Sequence, residues 1–319
     1  MQHGERFRLH SDETYGARKG RSTHGALMTY QLNFGLAQLN KRNISILDSD
    51  ATGCYDRIPH NLLSIAQQRM GCRKPFAMSH AKTLHNMIHR ILTAHGVSSA
   101  NFTKMLAGVG QGSSNGPSGW HSVCEVIMAA YRDLNPGCRW TSPNRMLEEV
   151  VWLAGFVDDV VKFRGFPDDS TWDDTLAATQ ASYRSWQHLL AATGGSLSLA
   201  KSSYSMVFWI PDRFNNLIMA SKAVTQGSLS MQANNEKVTI ERKEPWDACK
   251  DLGVFLAPDG NMTAQFEACM KRAREMKTMV NSAPISRMEA DVFFHTRYMG
   301  WTRYFLPITT FSKSQCLRI

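Results

Sequence analysis

Nothing in this sequence of 319 residues approaches the roughly 20 consecutive apolar positions that a membrane-crossing helix needs, and its N-terminal Met1-Gln2-His3-Gly4-Glu5-Arg6 lacks the apolar core of a signal peptide. Seven cysteines (54, 72, 124, 138, 249, 269 and 316) are scattered, odd in number, and form no Cys-x-x-Cys pair. That excludes a disulfide framework or a zinc ribbon and fits a reducing compartment. Together these absences predict an intracellular chain, nuclear or cytoplasmic, not secreted and with no membrane partner. Phosphate-binding fingerprints are missing too. The glycines at 108, 110 and 112 do not complete G-x-G-x-x-G, and no Walker A sequence occurs. His85 and His89 have the helical spacing of a zinc pair, but no Glu follows the first of them as a zinc protease requires. Acidic residues are the minority charge, 27 against 36 Lys and Arg, giving +9. A basic excess of that size suits a polyanionic partner, because each neutralised phosphate releases condensed counterions.

What is present is an ordinary globular balance, 43% hydrophobic and 20% charged, sufficient for a sizeable core. A basic, glycine-bearing loop occupies 11–21. Ser22 or Thr23 then caps a helix with an apolar stripe of Leu27, Tyr30, Phe34 and Ala37. Ile44-Ser-Ile-Leu-Asp-Ser-Asp50 alternates like a strand and runs into a turn at Gly53. Helices are predicted at 61–70 and 76–93, a hairpin at 94–107 around Gly96, and a glycine-rich loop at 108–119 leading into a helix from Trp120. Val150–Phe163 reads as a buried hairpin, two apolar arms enclosing Asp158-Asp159 at its turn. An amphipathic helix at 171–193, with Leu176, Tyr183, Trp186 and Leu190 inward, stops at Gly194-Gly195. Strands follow at 202–210 and 251–257, then a basic helix at 261–281 whose Arg/Lys run at 271–277 reads as a solvated face. The alternation predicts an α+β architecture.

Asp158-Asp159 carries the chemistry. Adjacent ionised carboxylates repel each other and stay charged cheaply only beside a cation or donors. Asp168-Asp169 and Asp173-Asp174 sit in polar surroundings and read as solvated pairs; only Asp158-Asp159 is flanked by apolar arms. Hard oxygen ligands suit Mg²⁺. With Asp50 at a second strand end, two ions about 3.5–4 Å apart would clamp the attacking and leaving oxygens of a phosphoryl displacement.

Six ordered segments then resemble the reverse transcriptase family. Ser49-Asp50-Ala-Thr-Gly-Cys-Tyr55-Asp56 resembles motif A; Gly110-Gln111-Gly112-Ser113 with Gly116-Pro117 and Trp120 resembles motif B. Phe156-Val157-Asp158-Asp159 resembles motif C, the aromatic-x-Asp-Asp box; Leu197-Ser-Leu199-Ala-Lys201 is similar to motif D, and Leu252-Gly253-Val254 with Asp259-Gly260 to the primer-gripping motif E. Tyr15–Thr23 resembles the segment preceding motif A in non-LTR retrotransposon and group II intron enzymes. Ordered together they are a strong signal, although each alone is weak.

The resemblance implies an RNA-directed DNA polymerase with a palm fold, an antiparallel sheet backed by helices, with partial fingers and thumb. It divides the chain into a fingers remnant (1–43), a palm with an inserted finger segment (44–260) and the start of a thumb (261–319), as in a fingers-truncated retroelement fragment. It implies that Asp50 and Asp158 ligate two Mg²⁺ ions, with Mn²⁺ as a substitute, and that Asp159 supports them. Tyr55 would sit under the incoming sugar and clash with a 2′-hydroxyl; Gln111 and Gly112 would contact that nucleotide and the template. Lys201 would protonate the leaving pyrophosphate, and Arg18, Lys19 and Arg21 would meet template or triphosphate oxygens. The partners implied are an RNA template, a DNA or RNA primer, and dNTPs. Two alternatives stand beside this. An RNA-dependent RNA polymerase usually has Gly before Asp-Asp and a small or polar residue at the place of Tyr55, so Val157 and Tyr55 count against it. A catalytically impaired palm that only binds nucleic acid typically loses its aspartates, and all three are retained.

Overall fold

A computed structural model of the chain describes residues 9–99, 101, 103–110, 113, 115–233 and 236–319. Helix α1 (Thr23–Leu39) buries Ala26, Leu27, Tyr30, Asn33, Phe34 and Ala37, the three-to-four spacing of an inward stripe. Strand β1 (Ile44–Ser49) is buried at every position but Asp48, as a central strand covered on both faces must be. Asp50 ends it, β2 (Ala51–Thr52) follows, and Gly53 at φ +60° turns the chain away. Helices α2 (His60–Arg69) and α3 (Lys74–Asn86) come next. The second is shorter than predicted: Met87 is extended, so His85 and His89 do not share a helical turn. A small hairpin at 92–97 follows.

Helix α4 (Gly116–Leu134) begins four residues before Trp120, with Pro117 in its first turn, where a missing N–H costs nothing. Strands β3 (Leu153–Phe156) and β4 (Asp159–Gly165) form the acidic hairpin. Its first arm is shorter than predicted, because 148–151 pairs instead with Cys138–Thr141. Helix α5 (Trp172–Ala192) buries Tyr183, Trp186 and Leu190, whereas Leu176 is only partly buried and Thr175 and Thr179 face inward. Strands β5 (Ser196–Leu197), β6 (Ser203–Val207) and β7 (Glu241–Lys243) complete the main framework. The main sheet has five strands in the order β7-β6-β1-β4-β3, in a mixed α+β fold dominated by antiparallel pairing. The strand predicted at 251–257 is a hairpin, Cys249–Asp251 with Val254–Leu256. Leu252 and Gly253, both at positive φ, form its turn. Helix α6 (Thr263–Ser282) leaves Lys271, Arg272, Arg274 and Lys277 exposed. Among the described residues no helix is long and apolar enough to cross a membrane.

The chain divides into two compact units. The first takes the described residues of Met1–Ser22, Ser45–Tyr204 and Gly227–Arg242. Its core joins Leu63, Trp120, Ile127, Tyr131, Leu153, Val160, Trp186 and Leu190. Tyr131 and Trp186 meet edge to face at 5.6 Å between α4 and α5. Each such large side chain contributes about 1.5–3 kcal/mol by leaving water, so this cluster fixes the sheet's helical backing. The second unit takes Thr23–Ile44, Ser205–Gln226 and Lys243–Ile319. There α1 is tied by Gln38 Nε2, which donates to Pro258 O at 2.7 Å, and by His24 Nε2 against Tyr304 O at 2.6 Å.

Candidate active site

The acidic site lies within the first unit and begins where β1 runs out. Beyond Asp50, β2 pairs antiparallel with β5, Ala51 opposite Leu197 and Thr52 opposite Ser196. Ser198 N then donates to Asp50 O at 2.9 Å. This pairing carries the short turn Leu199–Lys201 to the strand end, and Lys201 Nζ stands 3.2 Å from Asp50 Oδ2. The Asp50 side chain is 27% exposed and that of Lys201 74%. After Gly53, the N–H groups of Asp56 and Arg57 both donate to Gly53 O at 3.1 Å, closing a tight turn. The loop at 108–110 docks on it: Val109 N donates to Tyr55 O and Gly108 N to Ile58 O, both at 2.9 Å. Tyr55 thereby lies beside the start of α4, where a Cβ on Gly116 would come 3.4 Å from its ring.

The hairpin supplies the opposing side. Phe156 pairs with Asp159, so the two-residue turn is Val157-Asp158, one residue earlier than predicted, and Asp159 opens β4. Val157 has φ +61°, where a β-branched residue costs about 1–3 kcal/mol. Its surroundings hold it there. Trp120 Nε1 donates to Val157 O at 2.7 Å. The basic loop runs alongside, with Tyr15 N donating to Gly155 O at 2.8 Å and Gly155 N to Glu13 O at 2.9 Å. Gly16 passes so near that a Cβ there would lie 2.4 Å from Val157 N. Glu13 anchors the loop: its carboxylate accepts from Trp152 N at 2.7 Å, Leu153 N at 3.1 Å and Arg132 Nη1 at 3.0 Å. Burial raises its pKa and those donors oppose the rise.

Electrostatics tie the two sides together. Asp159 is pushed up to about 6, first by lost hydration, then by the carboxylates of Asp158, Asp48 and Asp50, with Lys201 pulling against them. Cys54 Sγ lies 3.9 Å from Asp158 Oδ2, and burial followed by that charge drives its thiol up to about 12. Burial likewise lifts the Tyr55 phenol to about 12, so both groups stay protonated at neutral pH and neither is a nucleophile. Behind the cluster, Lys162 is 1% exposed. Its Nζ donates to Ser49 Oγ, and to Val160 O at 2.8 Å, over the Trp186 ring. Burial draws this amine down to about 7, against the pull of Asp48.

Crowded hard oxygens with mutual repulsion are a donor set that fits a divalent cation. The oxygens are not fully gathered. Among the described residues, the trio of His, Cys, Asp or Glu with ligand atoms all within 4.8 Å lies elsewhere, at His10, His121 and Glu125.

The family model for reverse transcriptase (RNA-dependent DNA polymerase) matches residues 3–247. This chain belongs to the reverse transcriptase family. No curated protein sequence matches it. Among solved structures it is similar to Candida albicans telomerase in complex with a TWJ fragment of telomeric RNA, at 10% identity and a TM-score of 0.47, covering 99% of this chain and 48% of that one. A Candida tropicalis telomerase in the same type of complex matches at 13% identity and TM-score 0.43, covering 63% and 32%. The apo Candida tropicalis telomerase truncated from its C-terminal domain matches at 16% and 0.39, covering 64% and 36%. The chain thus spans between about a third and a half of these solved chains.

Within this reverse transcriptase fold, Asp50, Asp158, Asp159, Tyr55 and Lys201 come to one end of the sheet. Gln111 and Gly112 lie outside the described residues. In the basic loop, Arg18 is turned inward, its Nη1 donating to Thr14 O at 3.0 Å and to Thr14 Oγ1 at 3.1 Å. Arg21 pairs with Asp12, and Lys19 is exposed. Sequence reasoning missed Asp48, Glu13 and Lys162. Asp48 was findable, because period-two alternation puts it on the same face of β1 as Asp50.

Proposed function

We propose that this chain is an RNA-directed DNA polymerase that adds dNTPs to the 3′-hydroxyl of a DNA or RNA primer on an RNA template. The observation that carries the reading is geometric: Lys201 Nζ stands 3.2 Å from Asp50 Oδ2, and Cys54, four residues after Asp50, brings its Sγ to 3.9 Å from Asp158 Oδ2 on the acidic hairpin. Asp50 and Asp158 would hold two Mg²⁺ ions, with Asp159 in support and Mn²⁺ as a substitute. Bound there, the ions supply charge neutralisation and activation of the primer hydroxyl. Every other part falls to the chain. Tyr55 stands at the turn after Asp50 and excludes a 2′-hydroxyl by its ring. Lys201 moves from Asp50 to the leaving pyrophosphate and gives it a proton. Lys19 and Arg21 meet phosphate oxygens of the template or the triphosphate, Arg18 holds the loop that carries them, and Gln111 and Gly112 contact the nucleotide. On this reading 44–260 is the palm with an inserted finger segment, 1–43 belongs to the fingers and 261–319 begins the thumb.

Primer extension on a polyribonucleotide template tests the proposal. Incorporation of dNTPs dependent on Mg²⁺ or Mn²⁺, and abolished by Asp158→Ala, is expected. Preference for rNTPs, or salt-sensitive template binding with no incorporation, refutes it.

A further inference from the structure

Three buried side chains outside the acidic site make a second constellation. His121 and Glu125 are one turn apart on α4, and His10 approaches them from the basic loop. All three are under 10% exposed. His121 Nε2 lies 2.7 Å from His10 Nδ1 and 3.5 Å from Glu125 Oε1, and the three ligand atoms all fall within 4.8 Å of one another. Two imidazoles and a carboxylate are a borderline donor set, too rich in nitrogen for Mg²⁺ and matched to Zn²⁺. A tetrahedral ion about 2.0–2.2 Å from each donor holds its ligand atoms roughly 3.3–3.5 Å apart. The His121–Glu125 separation already meets that. The two histidines must part by about 0.6 Å, within the reach of a loop side chain, and adopt tautomers with the ring protons on their outer nitrogens. Next to His10 opens a cavity of about 280 Å³, which Gln67, Ser118, Ser122 and Cys72 also line. It borders the trio on its His10 side only, so a water serving as fourth ligand would enter past the His10 ring.

We propose that His10, His121 and Glu125 form a zinc site, three protein ligands and a water, distinct from the aspartate cluster. The site fastens the basic loop to α4. Glu125 already accepts from Ser11 N at 3.1 Å and Thr14 Oγ1 at 2.5 Å, and the loop continues directly to the backbone bonds on Gly155 that support the Val157-Asp158 turn. The ion therefore reinforces a clamp that ends at the acidic hairpin, and the inference holds whether or not the chain polymerises.

The full chain, stripped with chelator, is titrated with Zn²⁺ against a chromogenic competitor, and with Co²⁺ while visible absorption is recorded. One equivalent is expected, with Co²⁺ bands of a four-coordinate N/O site. His10→Ala, with circular dichroism recorded to confirm that the fold is kept, should weaken binding by more than about tenfold, since losing even an outer partner of a metal site costs that much. Asp50→Asn/Asp158→Asn and Cys72→Ser should leave the affinity unchanged. Absence of a retained equivalent in the wild-type chain overturns the proposal and leaves the trio a hydrogen-bonded relay. So does an equivalent that survives His10→Ala with circular dichroism unaltered, or one lost with Asp50 and Asp158 or with Cys72.

Discussion

Replacing Lys162 by methionine perturbs the charge balance behind the aspartates at nearly constant volume. The amine is buried against Trp186 and sits at about 7, below the roughly 10.5 expected in the unfolded chain. The folded state therefore binds fewer protons than the unfolded state between those values, and stability rises with pH across that window. The penalty of keeping the lysine works out at about 4 kcal/mol at pH 7, about 2 at pH 9 and under about 1 at pH 10. Methionine removes it but forgoes the bonds to Ser49 Oγ and Val160 O, about 1 kcal/mol each. Lys162→Met should thus be the more stable by about 2 kcal/mol at pH 7, equal near pH 9, and less stable above. Thermal unfolding of both proteins from pH 6 to 10 reads this directly. The expected difference at pH 7 is on the order of 5 °C for a unit of this size, with a change of sign at high pH. A difference that does not vary with pH, or a loss at pH 7 as large as at pH 10, refutes the buried-amine reasoning.

Four further outcomes follow from the structure. Gly16→Ala forces a Cβ onto the Val157 amide and should destabilise by about 1–3 kcal/mol while lowering dNTP incorporation. Gly35→Ala, in helix α1 with open space at its Cβ, should stabilise by about 0.5–1 kcal/mol in the same melting assay. In chelator, the chain should lose stability as pH rises toward and through about 6, because the folded pKa of Asp159 lies above its ordinary 3.8 and the folded state holds the extra proton below it. Asp159→Asn should flatten that slope, as should Mg²⁺ if the carboxylates ligate it. Tyr55→Val should raise rNTP use relative to dNTP in primer extension, and an unchanged ratio removes the steric assignment.

Local patterns carried much of this fold into view. The stripe Leu27, Tyr30, Phe34, Ala37 and the Gly194 stop are period-3.6 and cap signals, and both elements form where those signals put them. The hairpin was legible because its arms are apolar and its tip is not. Its register was not legible. Alternation allows Val157-Asp158 or Asp158-Asp159 as the turn, and propensity disfavours a valine at positive φ. What decides is tertiary: Trp120 and the passage of Gly16 hold Val157 where its own preferences would not put it.

Asp48 apart, the residues sequence reasoning missed share one physical trait. Glu13, Lys162 and the His10–His121–Glu125 trio are polar groups whose meaning is set by partners more than 100 residues away, apart from the one helical pair within the trio. On its own segment, Glu13 is a loop acid and Lys162 a lone interruption of an apolar strand, and the partners that give each its role lie far along the chain. Burial changes the reading. A carboxylate out of water must find donors, and the donors Glu13 finds are the N–H groups of Trp152 and Leu153 at the start of β3. The same requirement that hides Glu13 in the sequence makes it a register pin in the fold. Moving β3 by one residue would orphan two amides, at about 1–3 kcal/mol for each, and leave the Glu13 carboxylate with Arg132 in place of three backbone and side-chain donors. The position of the acidic turn is therefore enforced at its far end, by a side chain that approaches no aspartate.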